Sequence, residues 1–369
     1  MYERHCCAQR YRSIVMYDAA MNRRQFLGST AAALLATNAF GDQIDDVYGH
    51  AIVIDSLSIE TWDAAGFAAA RRSGYAAIQT SLNNTNFAVA MRELDAWRVR
   101  FEQSPDRLIR CEKAADIRRA KAEGKLAVML GFQNGTIIES NIANLNRLYT
   151  AGTRCIQLTY NSRNLLGDGC TERTNAGLSD FGIEAVERMN ELGIIVDLSH
   201  CGDQTSADGI AFSHRAPCFT HTMCQAVYFH PRAKSDALLR AMANRGGVAG
   251  IVALGYFVGP RPDTSVEDYL NHIDHAVRVC GIDQVGLSTD FNIRGIEGSA
   301  TKETWLVPRL REFKPSYNVR WPPWIPELDK PERFNTVAHS LAKRGYKIAE
   351  IEKVLGGNWL RYFQEAFGG

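Results

Sequence analysis

The sequence predicts one (β/α)8 TIM barrel over residues 50–369, and three observations carry that reading. Short apolar or β-branched runs alternate with amphipathic stretches along the whole span, and about eight strands can be counted, most followed by a helix. The strand runs are near-continuously apolar, as in a parallel sheet covered on both faces. Three of them end in side chains suited to a site: Ile194-Ile195-Val196-Asp197-Leu198-Ser199-His200, Pro217-Cys218-Phe219-Thr220-His221 and Val285-Gly286-Leu287-Ser288-Thr289-Asp290. Parallel neighbours bring these ends to one C-terminal edge, where α/β folds build their sites. Two imidazoles converging there begin a metal site, and with the carboxylate they make a hydrolase constellation.

In chain order, Ala51 to Asp55 is the first buried strand, with Ser56 to Glu60 as its loop. Tyr75 to Ser81 is the second, and Phe87 to Gln103 spaces Met91, Leu94 and Trp97 as a helix does. Leu108 to Cys111 is a small strand before a helix from Lys113 to Lys125. Leu126 to Phe132 is the next strand and ends at Gln133-Asn134-Gly135. A helix from about Ile138 to Tyr149 leads into the strand Cys155 to Tyr160, and Asn161 to Ala176 is a long polar loop. Ile183 to Leu192 and Asp203 to Ser213 are helical on either side of the first histidine strand. Ala237 to Arg245 (helix), Gly247 to Leu254 (strand) and Tyr269 to Val279 (helix) lead to the strand before Asp290. Phe291 to Pro326, with several Trp and Pro, reads as a lid or rim loop. Helices close the chain at Phe334 to Lys343, Ile348 to Leu355 and Trp359 to Phe367, and the pairs Gly246-Gly247 and Gly356-Gly357 read as helix stops. No Gly-x-Gly-x-x-Gly follows the first strand and no Gly-Lys-Ser/Thr loop occurs, which removes the cheapest evidence for a nucleotide fold.

A formal net charge of +1 without an interior Lys/Arg tract points away from nucleic acid. The nine cysteines are odd in number and have no Cys-x-x-Cys spacing, so they do not read as a disulfide framework. Arg23-Arg24 just before the uncharged run from Phe26 to Ala39 reads as a twin-arginine signal covering residues 1–39; a short amphipathic helix is the alternative. Such a signal directs a folded protein to the periplasm, and the residues before Met21 have no place in it, which points to a start at Met21. No later stretch is long and apolar enough to span a bilayer.

Seven segments in order resemble the membrane dipeptidase (renal dipeptidase) family of zinc peptidases, from about His50 to Phe367. They are Asn175–Gly182, Asp197-Leu198-Ser199-His200, Thr220-His221-Thr222, His230-Pro231-Arg232, Gly246-Gly247-Val248, Val285–Phe291 and Gly356–Arg361. The resemblance implies a metallo-dependent hydrolase barrel with two zinc ions bridged by a glutamate, often dimeric, that cleaves dipeptides. It matches His200 and His221 to the histidines of the second zinc and Asp290 to the aspartate that handles the nucleophilic water. Arg232 matches the arginine that receives the substrate's carboxylate, and Tyr256 lies near a substrate-contacting tyrosine. The family's first strand ends in Asp-Gly-His-Asn-Asp, but here the line is Asp55-Ser56-Leu57-Ser58-Ile59. Leu57 and Ile59 therefore replace the first zinc's ligands, Gln133 replaces the bridging glutamate, and Tyr160 replaces a histidine that stabilises the transition state.

Several roles stay paired with plainer ones. His200 and His221 either bind metal or hydrogen-bond their neighbours, and Gln133 is at best a weak amide ligand. Asp290 is a general base or an acceptor for rim amides, and Arg232 binds a carboxylate or forms a surface ion pair. Tyr160 donates to an oxyanion or walls the pocket. A surface or packing role is expected of His272 and His275, and packing of Cys201 and Cys224, with a soft metal ligand as the cysteines' alternative role. The Trp321-Pro322-Pro323-Trp324 loop caps the pocket or packs on the rim. The expected function is an exported dipeptidase-like hydrolase of small amides or dipeptides bearing a carboxylate, with one zinc ion rather than two. The alternative is a non-hydrolytic barrel that binds small carboxylates and has lost dipeptidase activity, and an absence of zinc altogether is the remaining alternative for the metal. A homodimer is implied by the family alone.

Overall fold

Eight parallel strands form the staves of a barrel in the computed structural model, which describes residues 41–298 and 301–367. They are β1 (Ile54–Asp55), β2 (Ala77–Ser81), β4 (Leu126–Phe132), β5 (Thr153–Gln157), β6 (Ile195–Asp197), β7 (Phe219–Thr222), β8 (Ala249–Val252) and β9 (Val285–Ser288). The remaining strand, β3 (Leu108–Arg110), is not a stave. It pairs with β4 at residues 126–128, and β5 takes over the β4 partnership from Leu130. The described residues from Ile44 onward form one compact unit. Arg23, Arg24 and the 26–39 run lie outside the described residues.

The strand runs look uniformly apolar in sequence, but the structure sorts alternate residues into two cores. Val53, Ile78, Val128, Leu130, Ile156, Val196, Phe219 and Ile251 share one core with the apolar faces of the surrounding helices. Ile54, Ala77, Ala127, Met129, Cys155, Ile195 and Cys218 belong to a second, which Trp359, Tyr362 and Phe363 of the C-terminal helix Asn358–Phe367 complete. This is the period-two alternation of a strand, hidden because both faces are buried. Gly286 is required by that packing: a Cβ there would stand 2.2 Å from Trp359 Nε1. Gly356 is not a helix stop. It lies in a wide turn at 353–357, where a Cβ would meet Ile52 O at 2.3 Å, so close backbone approach explains it. Gly246 does end its helix, with φ at 86°.

Strand pairing runs unbroken from β1 to β6 and from β7 to β9, which leaves two seams. At the β6–β7 seam Cys218 N donates to Val196 O (3.0 Å) and Leu198 N to Cys218 O (2.9 Å). At the β9–β1 seam Ser56 N donates to Leu287 O (3.3 Å) and Asp290 N to Leu57 O (2.9 Å). A buried aspartate crosses each. Asp197 accepts from Ser199 N (3.0 Å), Ser199 Oγ (2.5 Å), Thr220 N (3.0 Å) and Thr220 Oγ1 (2.6 Å). Asp55 accepts from Thr289 N (2.9 Å), Thr289 Oγ1 (2.6 Å) and Leu57 N (3.3 Å). A carboxylate has about four acceptor sites, so it satisfies the N–H groups that a two- or three-residue ladder cannot. Burial raises both carboxyl pKa values, Asp55 to about 7, against the pull of these hydrogen bonds.

The 291–326 stretch is more ordered than its composition suggests. It contains the helix Lys302–Glu312, whose signal is broken by Pro308 in its interior.

Candidate active site

The histidines meet at the C-terminal end of the barrel. His200 lies three residues past β6, in a turn drawn tight by the Asp197–Ser199 hydrogen bonds, and His221 lies within β7. Neither strand ends at its histidine, yet the rings come together, with Nε2 to Nε2 at 2.9 Å. Their outer nitrogens are committed. His200 Nδ1 is 2.7 Å from Asn161 Oδ1, an oxygen that also accepts from Tyr317 Oη at 3.1 Å. His221 Nδ1 is 2.8 Å from Thr220 Oγ1, whose only proton goes to Asp197 Oδ2. Both rings are thereby set as Nδ1–H tautomers, and both Nε2 lone pairs face one point.

Two buried cations hold this pair in place. Arg232 Nη1 donates to Ser199 O and Nη2 to His221 O at 2.9 Å. Lys234 Nζ donates to Cys201 O (2.6 Å) and Ser206 Oγ (2.9 Å). The carbonyls on either side of His200 are thus each fastened to a cation. Burial, then the charges of Arg232 and His221, push the His200 pKa well below 6.5; burial, Arg232 and Lys234 do the same for His221. The imidazoles are neutral, and each Nε2 can bind a cation, at His221 by displacing the Gln133 Nε2 contact of 3.0 Å.

The plainer alternative for Arg232, a surface ion pair, is overturned. Its side chain is fully buried, its Nη atoms bind backbone, and its guanidinium lies 5.6 Å from the Phe257 ring. Gln133 Nε2 lies 3.0 Å from His221 Nε2, and the same side chain reaches Asp290. Gln157 supports it from β5, donating to Gln133 O and to Thr159 O. Asp290 has φ at 52°, and burial raises its carboxyl to about 6 while Arg232 and Arg309 hold it back. Tyr160 stacks on His200 with centroids 4.2 Å apart. Tyr256 is buried between Phe257 and Trp305, at 4.3 and 6.0 Å. Leu57 is fully buried and Ile59 is exposed, and neither has a donor atom.

His272 and the two cysteines are packing residues. His272 accepts from Cys224 N at 3.1 Å and reaches Val258 O at 3.1 Å, and Cys201 and Cys224 lie in the apolar core. His275 pairs with Asp236 at 2.7 Å. Trp321 and Trp324 pack edge to face at 4.8 Å, and Trp324 reaches Phe291 at 5.4 Å, so the loop belongs to the rim. Sequence reasoning passed over Asn161, Thr220, Gln157 and Lys234. Asn161 carried a usable signal: an Asn just past a strand suits the left-handed backbone it adopts, with φ at 54°.

Among the described residues no group of three or more His, Cys, Asp or Glu is placed to hold a metal ion. Two facing imidazole lone pairs fit one ion, with Gln133 beside them. The positions of Leu57 and Ile59 do not fit a second.

The family model for membrane dipeptidase (peptidase family M19) matches residues 60–310. The chain belongs to the membrane dipeptidase family. An amidohydrolase from Pseudomonas aeruginosa is similar at 30% identity and a TM-score of 0.79, covering 88% of this chain and 99% of that one. The probable dipeptidase PvdM from Pseudomonas aeruginosa shares the fold at 18% identity and a TM-score of 0.73, covering 89% of this chain and 98% of that one. Dipeptidase verJ from Clonostachys rogersoniana is 27% identical over 273 residues, which cover 73% of this chain and 63% of that protein. The match therefore spans less than two thirds of that curated relative. Membership in a hydrolase family and a barrel of the metallo-dependent hydrolase type follow; no helix among the described residues is long and apolar enough to cross a membrane.

Proposed function

We propose that this member of the dipeptidase family is an exported hydrolase of small amides, dipeptides or acyl amino acids, working with one zinc ion rather than two. The observation that carries the reading is the pair of His200 and His221 Nε2 lone pairs, 2.9 Å apart, with both Nδ1 hydrogens committed elsewhere. His200 and His221 would hold a divalent ion there, and it would supply polarisation of the substrate carbonyl and activation of water. The chain's own groups do the rest. Asp290, with its carboxyl near 6, takes a proton from the attacking water at neutral pH and gives it to the amine nitrogen that leaves as the C–N bond breaks. Tyr160, against His200 and kept protonated by burial, donates its hydroxyl proton as a hydrogen bond to the developing oxyanion. Arg232 and Lys234 keep the two histidine turns in register.

A second reading is a barrel that binds small carboxylates without hydrolysing them. Leu57 and Ile59 favour it, because they lack donor atoms, and so does the Gln133 amide against His221. Metal analysis of protein purified without added zinc separates the two. About one equivalent, lost in His200→Ala and His221→Ala, supports the hydrolase. Less than about a tenth, with no uptake on dialysis against zinc, favours the binding barrel. The proposal includes a homodimer, on family resemblance alone, which sedimentation equilibrium checks.

A further inference from the structure

The Nδ1–H form of His200 depends on which way the Asn161 amide is turned. With Oδ1 toward the ring, the amide accepts the Nδ1 hydrogen at 2.7 Å. Turned over, it would present its own N–H, Nδ1 would become the acceptor, and the ring hydrogen would move to Nε2. That hydrogen would then lie between Nε2 of His200 and Nε2 of His221, whose separation of 2.9 Å is that of a hydrogen bond. The two rings would close on each other, and His200 would have no lone pair left for a cation. In the Nδ1–H form two lone pairs face each other and repel until an ion comes between them, so the amide has to be held against the turn.

Tyr317 is placed to hold it. Its side chain is buried, and its hydroxyl donates to the same Asn161 Oδ1 at 3.1 Å, its only hydrogen-bond partner among the described residues. Cys170 Sγ adds a third, weaker donor at 3.5 Å. An amide oxygen has two lone pairs, and His200 and Tyr317 take them. Turning the amide would strand the hydroxyl hydrogen in the protein interior. The ring that aims the hydroxyl is boxed by His230, Phe257 and Phe313, with centroids at 5.1, 5.6 and 4.7 Å. Its backbone is fixed as well: His230 Nδ1 accepts from Arg232 N at 3.0 Å, which leaves Nε2 to donate to Tyr317 O at 2.8 Å. A second link runs beside the first, since Lys314 Nζ donates to Thr171 O and Thr171 N donates to Asn161 O at 2.8 Å. The rim turn at 314–317 therefore grips Asn161 through its side chain and its backbone.

We infer that Tyr317 is a positioning residue for His200: by holding the Asn161 amide oxygen toward the ring it keeps both Nε2 lone pairs open to an ion, and it makes that opening depend on the rim turn that follows the helix Lys302–Glu312. The inference takes the histidine pair as the ion's seat from the hydrolase reading, but its first test needs neither metal nor turnover.

Full-length protein labelled with 15N-histidine and stripped of metal by a chelator is measured by long-range 1H–15N correlation at pH 8, where both imidazoles are neutral. His200→Gln assigns the signals. Wild type should show His200 as the Nδ1–H tautomer. Tyr317→Phe keeps the ring and its packing, and should shift the tautomer ratio toward Nε2–H by about tenfold, the effect of one donor that no longer resists the turn. His221, whose Nδ1 faces Thr220, should not change. Zinc affinity, read by competition with a chromogenic chelator, should fall by about tenfold. Asn161→Asp offers an oxygen on both sides, so in that background Tyr317→Phe should leave the tautomer as it was. A wild type in the Nε2–H form, an unchanged His200 pattern in Tyr317→Phe, an equal shift in the Asn161→Asp background, or a shift of His221 along with His200 overturns the inference. Wild type that takes up no zinc while its His200 tautomer still depends on Tyr317 removes the metal reading and leaves the positioning role standing.

Discussion

Replacing Asp55 by Asn tests the seam chemistry of the barrel through the pH dependence of stability. The Asp55 carboxyl is buried, and its pKa is raised by that burial from 3.8 to about 7 in spite of three hydrogen bonds. The folded state therefore keeps a proton that the unfolded chain releases at about pH 4. As pH rises from 4 to 7 the unfolded state gains the freedom to ionise and the folded state does not, so wild type loses stability across this window. A rise from 3.8 to about 7 corresponds to about 4 kcal/mol in full, of which roughly 2.5 kcal/mol falls between pH 5 and 8. Asparagine fits the same place. Its amide can donate to Thr289 Oγ1, whose proton then turns to Leu57 O or Phe291 O, each 3.2 Å away. The replacement costs about 1 kcal/mol for an imperfect hydrogen bond at every pH. Urea unfolding of both proteins at pH 5, 6, 7 and 8, followed by circular dichroism, gives the difference directly. Asp55→Asn should be near wild type or slightly more stable at pH 5 and clearly the more stable of the two at pH 8. A difference that does not change with pH would show that Asp55 is ionised in the fold and that the argument from burial is wrong.

Asn161→Ala should lower zinc affinity about tenfold to a hundredfold, because it frees the Nδ1 of His200 to adopt the other tautomer; competition with a chromogenic chelator reads this. Leu57→His, Ile59→Asp and Gln133→Glu together should raise zinc content toward two and bring up dipeptidase activity, read by elemental analysis and dipeptide hydrolysis. Wild-type turnover as fast as that of the triple variant would remove the reduced-site reading. Gly286→Ala should destabilise by about 1 to 3 kcal/mol, since the new methyl overlaps the Trp359 indole in a packed core; thermal unfolding measures it. Arg23 and Arg24 carry the proposal of periplasmic export. Their replacement by Lys-Lys should leave unprocessed protein in the cytoplasm, which fractionation and N-terminal sequencing decide.

Much of the barrel was legible in the order of the residues because strand and helix periods are local properties. Leu126–Phe132 needs no partner to announce itself as a buried strand, and Asp203–Phe212 matched the helix expected between the two histidine segments. The identities at the sheet edge were legible too. His200, His221 and Asp290 stood out as polar side chains at the ends of apolar runs, and the missing donors at Leu57 and Ile59 are visible without coordinates. Contacts between residues distant in the chain were not. That Asp55 and Asp197 close seams, and that Lys234 fastens the carbonyl after His200, depend on which strands become neighbours. Arg232 shows the limit most plainly. Its residue type allows a carboxylate, an ion pair or a backbone clamp equally, and only the tertiary structure buries it, sets its two Nη atoms on the carbonyls of Ser199 and His221 and leaves its Nε without a partner, because those acceptors come from strands far apart in the chain.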